Sequence, residues 1–306
     1  MNDPSGGAKR TQYPVAADED GQRIDNLLMK LDRGRPRSEI YRLLRTGQVR
    51  LNGRRIAPSE RVHTGDRVRL PPFFGRPPRP PPKLDTSWLE ERILDEDEDC
   101  LVLDKPAGLA VHGGSGIGLG VVDLVHALRP EAPLIAPAHR LDRETSGCLL
   151  LGKNRLALRQ LQESFLTGRV VKTYLALCVG RWPENLTLLD TPLSKRPGED
   201  DEPRMRSART HVHVLRSFSE ATLLELRLET GRMHQIRRHT AEQGHPILGD
   251  RRYGSPKDNR TFARAGLKRL FLHAASLEFP HPKGEGTLAV RSPLPPDLES
   301  MLKNLR

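Results

Sequence analysis

The stretch His139-Arg140-Leu141-Asp142-Arg143-Glu144-Thr145-Ser146-Gly147-Cys148-Leu149-Leu150-Leu151 joins a dense polar cluster to an uninterrupted apolar run. The apolar half has the length of a buried strand, so the polar half occupies a loop at the edge of a sheet. Working outward, Cys100-Leu101-Val102-Leu103-Asp104 is a second buried strand, stopped by Pro106 and Gly108, and Tyr174 to Val179 is a third. A helix is predicted between Asn154, which can cap it, and Leu166, with Gly168 just past its end. Thr222 to Leu228 alternates as a half-buried strand does, Met233 to Gln243 reads as helix, and Leu270 to His273 returns to strand. These strands do not alternate strictly with helices. The expected fold class is therefore α+β, a body over residues 88–306 built on a mixed, largely antiparallel sheet.

Upstream the texture changes. Seven of the twelve residues from Pro71 to Pro82 are proline, which excludes helix and inner strand and predicts a stiff linker over 73–87. Residues 20–72 form a separate small αβ module, and 1–19 read as a disordered, solvated tail. The net charge of +11 is concentrated in the module: residues 21–80 hold 15 Lys+Arg against 5 Asp+Glu, and the remainder is nearly balanced. A basic patch of this kind is the electrostatic footprint of a polyanion binder, though it can also be a solubilising face. Pro36 can open a helix and Gly47 close it, with Ile40, Leu43 and Leu44 as its inner stripe. Arg37, Tyr41 and Arg45 then share an outer face, with Arg42 alongside, a combination suited to phosphate contact and base stacking. Val49 to Ile56 alternates around Asn52-Gly53, the signature of a tight hairpin, and Arg67 to Leu70 is a further strand.

No apolar run reaches the length of a membrane span, and the N-terminal stretch lacks the apolar core of a secretory signal. Cys100, Cys148 and Cys178 are widely spaced in apolar surroundings, as reduced core thiols are, which points to a cytoplasmic protein. No ligand-dense metal motif accompanies His139 and Asp142, and Gly113-Gly114-Ser115-Gly116 lacks the lysine of a phosphate loop, so neither metal nor cofactor is expected.

Taken one at a time, the polar residues remain ambiguous. Asp142 reads as a loop or capping residue, Tyr174 as a core aromatic or a stacking platform, and Arg237 as a helix start or a partner for a carboxylate. Five segments taken in order and spacing are more specific: His139 to Gly147, Lys172-Thr173-Tyr174-Leu175-Ala176, Leu228 to His239, Gly244 to Gly254, and Leu272 to Leu277. Together they closely resemble the RluA-type family of pseudouridine synthases over nearly all of residues 88–306. The basic module, through Arg23-Ile24-Asp25 and Gly47 to Gly53, resembles the S4 RNA-binding domain. With Val111-His112-Gly113-Gly114-Ser115-Gly116, the whole most resembles the branch of the family that acts on large-subunit ribosomal RNA. Met233, where relatives have a small polar residue, and Leu248-Gly249-Asp250, which fits the general family better than the branch, are departures.

The resemblance implies an RNA isomerase with Asp142 as nucleophile, Arg237 as its ion-pair partner, Tyr174 as the active-site tyrosine and Arg140 as the residue that displaces the target base. His139, Arg232, His234 and Gln235 are expected to face the RNA, as are Arg37, Tyr41, Arg42 and Arg45. The implied partner is large-subunit ribosomal RNA; the sequence offers no obvious association motif, so a monomer is the default expectation. A transfer-RNA synthase and a non-catalytic ribosome-assembly protein are the alternatives. A glycosidase is less natural, because hydrolysis wants a second carboxylate and Glu144 has no matching role in the family.

Overall fold

The computed structural model describes residues 12–32, 35, 37–72, 74, 85–113, 119–194, 205–284 and 286–305. The chain divides into two compact units between positions 84 and 85. Pro36, the proline-rich segment 75–84 and residues 114–118 of the glycine-rich segment lie outside the described residues.

In the first unit, β1 (Gln12–Pro14), α1 (Ile24–Leu31), α2 (Arg37–Arg45), β2 (Arg50–Leu51) and β3 (Arg67–Arg69) follow in order. The strands make an antiparallel sheet ordered β1-β3-β2. One core gathers Ile24, Leu27 and Leu28 of α1, Ile40, Leu43 and Leu44 of α2, and Val49, Leu51, Val62 and Val68. Each such fully buried aliphatic side chain contributes about 1.5–3 kcal/mol. Helix α2 stops where Gly47 adopts φ +70°, a conformation with little cost only for glycine.

Two expectations for this unit need correction. Residues 12–19 are not a solvated tail: Gln12, Tyr13 and Pro14 pair with Arg69, Val68 and Arg67, and a 3-10 turn follows at Ala17–Glu19. The acidic run masks the apolar surface of Tyr13 and Val15, which join the core and cover the edge of β3. The hairpin at Asn52-Gly53 is also shorter than its alternation suggests. Both turn residues have positive φ, but the chain returns only as far as a bridge between Leu51 and Arg54, and β2 takes β3 as its ladder partner.

The second unit begins with α3 (Ser87–Glu90), β4 (Ile93–Glu96), β5 (Cys100–Lys105), α4 (Val121–Leu128), β6 (Ala136–Pro137), β7 (Ser146–Gly152), α5 (Arg155–Leu166) and β8 (Val171–Val179). It continues through β9 (Leu188–Leu189), β10 (Leu193–Ser194), β11 (Met205–Arg206), β12 (Thr210–Ser217), β13 (Ala221–Leu228), α6 (Gln235–Glu242), α7 (Pro256–Arg264), β14 (Leu272–Pro280), β15 (Thr287–Arg291) and α8 (Pro296–Lys303). One sheet runs β4-β5-β7-β14-β8-β13-β12-β9, with β6 beside β7 and β15 beside β14, while β10 and β11 pair separately. Among the described strands only β7 and β14 run parallel, so the unit is α+β on a mixed, largely antiparallel sheet.

Every residue of β7 is buried, which is why it reads as a continuous apolar run instead of an alternation. Helix α5, whose first turn is capped by Asn154 Oδ1 accepting from Ala157 N–H, packs on β7 and β14. β13 departs from the half-buried pattern: Ala221 to Leu224 are all buried, and alternation starts only after them. Helix α6 begins two residues later than its periodicity suggests, because His234 takes a left-handed φ of 54°. At the start of β7, a Cβ on Gly147 would lie 2.2 Å from Ala274 O, so only glycine permits this approach of β7 to β14. The polar loop that precedes Gly147 is thereby fixed at the parallel junction of the sheet.

Candidate active site

The loop between β6 and β7 is held by its backbone. Thr145 N–H donates to Asp142 O, Gly108 N–H donates to Arg143 O, and Arg143 Nε donates back to Gly108 O. Lys105, fully buried, donates from Nζ to the carbonyls of Pro106, Leu109 and Arg143 at 2.8, 2.9 and 3.1 Å, tying the end of β5 to this loop. Burial pushes its ammonium down to about 7.

Within that frame the Asp142 side chain is 19% exposed. Its Oδ2 lies 3.2 Å from Arg237 Nη1 and 3.7 Å from His234 Nε2, while Oδ1 accepts no hydrogen bond among the described residues. Arg237 stands on the first turn of α6 and is 10% exposed. Its other edge is gripped by the fully buried Asp250, with Nε to Oδ2 at 2.7 Å and Nη2 to Oδ1 at 2.9 Å. Burial works to lower the Arg237 pKa, but the carboxylates of Asp250 and Asp142 outweigh it and hold it above the ordinary value. The guanidinium therefore stays charged between two carboxylates, and its planar fork fixes its orientation.

His234 Nδ1 shares a hydrogen bond with the Tyr253 hydroxyl at 2.9 Å, and burial lowers its pKa against the pull of Asp142. Tyr174, at the middle of β8 between Leu226 and Ala274, is 7% exposed. Burial raises its phenol pKa and the Asp142 charge raises it further, so the hydroxyl stays protonated at neutral pH. Arg140 is exposed at the rim of the loop and makes no hydrogen bond or ion pair through its side chain among the described residues.

Asp142, Arg237, His234 and Tyr174 thus come together, whereas three residues expected to face RNA do not join them. His139 turns inward: Nε2 accepts from Leu150 N–H at 3.1 Å, and the ring stacks on Phe165 at 4.7 Å. Burial, with the nearby charge of Lys172, holds it neutral with a pKa down to about 3. Gln235 is 3% exposed and fully engaged, accepting from Thr230 Oγ1 and Arg232 N–H and donating to Arg209 O and Thr210 Oγ1. Arg232 donates from Nε to Ser207 O. The first two are structural because the sheet supplies unpaired backbone groups that their side chains satisfy. Single-sequence reasoning passed over Asp250, Tyr253 and Lys105. Asp250 and Tyr253 lie in one of the five family-like segments and Lys105 ends an apolar strand, but partners this remote leave no local pattern that assigns them a role.

In the first unit, Arg37, Tyr41, Arg42 and Arg45 line one concavity of about 920 Å³, with Arg55 on its wall and Leu44, Ile56, Ala57 and Pro58 adding apolar surface. Tyr41 is not wholly free: its hydroxyl donates to Asp25 Oδ2 at 2.8 Å. Arg42 pairs with Glu39 at 3.0 Å.

Among the described residues, Asp97, Cys100 and His281 form a group with metal-ligating atoms. The Asp97 carboxylate is already taken by His281 Nε2 at 2.6 Å and by the N–H groups of Asp99 and Cys100. Burial pushes the Cys100 thiol up to about 12, and the Lys153 ammonium donates to Asp97 O beside it. These residues fit a hydrogen-bonded cluster better than a metal centre.

Comparison with known proteins agrees with this geometry. Residues 99–242 match the family model described as RNA pseudouridylate synthase, and residues 22–68 match the S4 domain. The chain is 42% identical to ribosomal large subunit pseudouridine synthase C of Vibrio cholerae serotype O1, covering 97% of this chain and 98% of that one. It is 43% identical to the Escherichia coli K12 protein of the same name, over 95% of each. The solved structure of human RNA pseudouridylate synthase domain containing 4 superposes with a TM-score of 0.61 at 29% identity, covering 73% of this chain and 97% of that chain. With relatives of this identity along almost its whole length, the chain belongs to the pseudouridine synthase family, enzymes that isomerise uridine within RNA.

Proposed function

We propose that this protein converts uridines of large-subunit ribosomal RNA to pseudouridine, with Asp142 as the reacting carboxylate and the first unit as an RNA anchor. The observation that carries the reading is the state of Asp142: its side chain is partly exposed, Arg237 holds Oδ2, and Oδ1 accepts no hydrogen bond among the described residues. A carboxylate held by one oxygen is directed, which suits the other oxygen to attack. The ribosomal target follows the names of the full-length relatives.

Two routes use this oxygen. In one, Asp142 Oδ1 attacks C1′ as the N1–C1′ bond breaks; the freed uracil turns, its C5 displaces the ester, C5 loses its proton and N1 gains one. In the other, the carboxylate removes the C2′ proton as the N1–C1′ bond breaks, giving a glycal and free uracil; that proton returns to C2′ when C5 joins C1′, and C5 again loses its proton while N1 gains one. Each route conserves all atoms of uridine and requires no oxidant or energy source. Tyr174 supplies a buried aromatic face for the detached base, which must not escape if it is to be reused. Arg140, exposed at the loop rim and without a side-chain partner among the described residues, is suited to enter the space left when the target base leaves its stack. In the first unit, the arginine-lined concavity offers charge for phosphates and apolar surface for a base. Among the described residues no helix is long and apolar enough to cross a membrane.

Base-resolved pseudouridine mapping of ribosomal and transfer RNA transcripts, incubated with wild type or Asp142→Asn, tests the reading. New pseudouridines in large-subunit RNA with the wild type alone are expected. Modification confined to transfer RNA would replace the substrate, and binding by both proteins without modification would make the chain a non-catalytic RNA-binding protein.

A further inference from the structure

The loop from Asp250 to Tyr253 reaches Asp142 through two separate side chains. Asp250 is fully buried, and its carboxylate has no function in contact with solvent. Its Oδ1 accepts from Arg237 Nη2, from Arg252 N–H at 2.9 Å and from Tyr253 N–H at 3.1 Å, and its Oδ2 accepts from Arg237 Nε. The loop itself is anchored. Gly249 N–H donates to Asn259 Oδ1, Asn259 Nδ2 donates to Asp250 O, and a Cβ at Gly249 would lie 2.1 Å from Arg269 O. Three residues on, the Tyr253 ring lies against the Arg237 guanidinium at 5.2 Å, and its hydroxyl bonds His234 Nδ1. Arg237 donates to Asp142 Oδ2, the same oxygen lies nearest His234 Nε2, and Oδ1 accepts no hydrogen bond among the described residues.

We propose that Asp250 and Tyr253 are positioning residues: Asp250 sets the plane of Arg237, Tyr253 sets the ring of His234, and together they hold Asp142 by Oδ2 so that Oδ1 is presented to the ribose. This rests on the reading of Asp142 as the reacting carboxylate. A guanidinium gripped along its Nε–Nη2 edge has one Nη1 direction left, and that direction ends on Asp142. Without the grip, Arg237 would remain charged and close but free to rotate, and misplacement of a reacting group by about 1 Å costs on the order of 10²-fold in rate.

The test is a pair of double-mutant cycles on the full chain, with kcat and KM measured on an RNA that the wild type modifies. Asp250→Asn is expected to lower kcat on the order of 10²-fold with KM little changed, and to add almost nothing when Arg237 is already Gln. Tyr253→Phe, which removes one hydroxyl and keeps the ring, is expected to lower kcat several-fold, roughly one tenth of the larger effect, and to add nothing to His234→Ala. Losses that multiply independently in both cycles, or unchanged kcat in Asp250→Asn and Tyr253→Phe, would overturn the proposal. If Asp250→Asn does not fold, the Tyr253–His234 cycle decides alone. Retained activity in Asp142→Asn is a separate failure, that of the underlying reading.

Discussion

Each unit contains an aspartate bound by arginine, with a tyrosine on the carboxylate itself in the first unit and on the arginine in the second, and the two differ in how completely the carboxylate is occupied. In the first unit Asp25 is 0% exposed; Arg23 binds both its oxygens at 3.1 and 2.9 Å, Tyr41 and Arg37 bind Oδ2, and Asn26 N–H binds Oδ1. In the second, Asp142 is 19% exposed, with Oδ2 held and no hydrogen bond to Oδ1 among the described residues. A saturated carboxylate can only hold its neighbours in place, while one with a free, directed oxygen can react. The same three residue types thus serve as a brace in one unit and as a candidate reactive centre in the other.

The strongest way to break this comparison is to neutralise each aspartate in turn. Asp142→Asn should reduce pseudouridine formation by about four orders of magnitude, the scale seen when the central group of a catalytic unit is lost, and Asp25→Asn should leave kcat on a short RNA unchanged. Equal losses in single-turnover assays of the two variants would erase the distinction. Next in size, Arg237→Lys keeps the charge but cannot reach two carboxylates with one planar fork. A loss of about 10²-fold in kcat is expected, and full activity would reduce Arg237 to a counter-charge.

The Asp25 brace is expected to matter for stability instead. Asp25→Asn should cost about 1.5–3 kcal/mol, the contribution of hydrogen bonds to a charged group. The lower part of that range applies because Arg23 and Arg37 are 40% and 61% exposed and partly screened. Thermal melting checks this. Its pH dependence has a definite sign. Arg23, with Tyr41 and the Asn26 N–H, holds the Asp25 carboxyl at about 2 against burial, below its ordinary 3.8. The stabilisation is therefore complete above the ordinary value and is lost as pH falls from about 4 towards about 2. Acid titration followed by circular dichroism should show a shallower decline for Asp25→Asn across that window; parallel curves would contradict the assignment. The smallest effect is expected on the surface: Arg45→Ala should weaken RNA binding modestly and reduce the slope of log affinity against log salt by about 1, with kcat unchanged.

Much of this architecture was legible locally. Strand β7, helix α5 with its Asn154 cap, and the inner stripe of α2 follow from periodicity and end signals, because the forces that set them act within a few residues. The failures have physical causes too. Residues 12–19 concealed a strand because an acidic run follows it, and His234 delayed the start of α6 by a backbone conformation that composition does not announce. His139 and Gln235 share polar segments with Asp142 and Arg237, yet each turns inward to satisfy backbone groups.

By itself the sequence determined the class of fold, the concentration of positive charge in the N-terminal module, and the order of polar segments that resembles a uridine isomerase. Tertiary structure alone decided which polar side chains meet. Arg237 and Asp142 are 95 residues apart along the chain, and Asp250, which orients the arginine, lies on a loop anchored by Asn259. Hydrophobic patterning is a local property of a chain. The occupancy of a carboxylate depends on distances between segments that approach one another only when the sheet has closed.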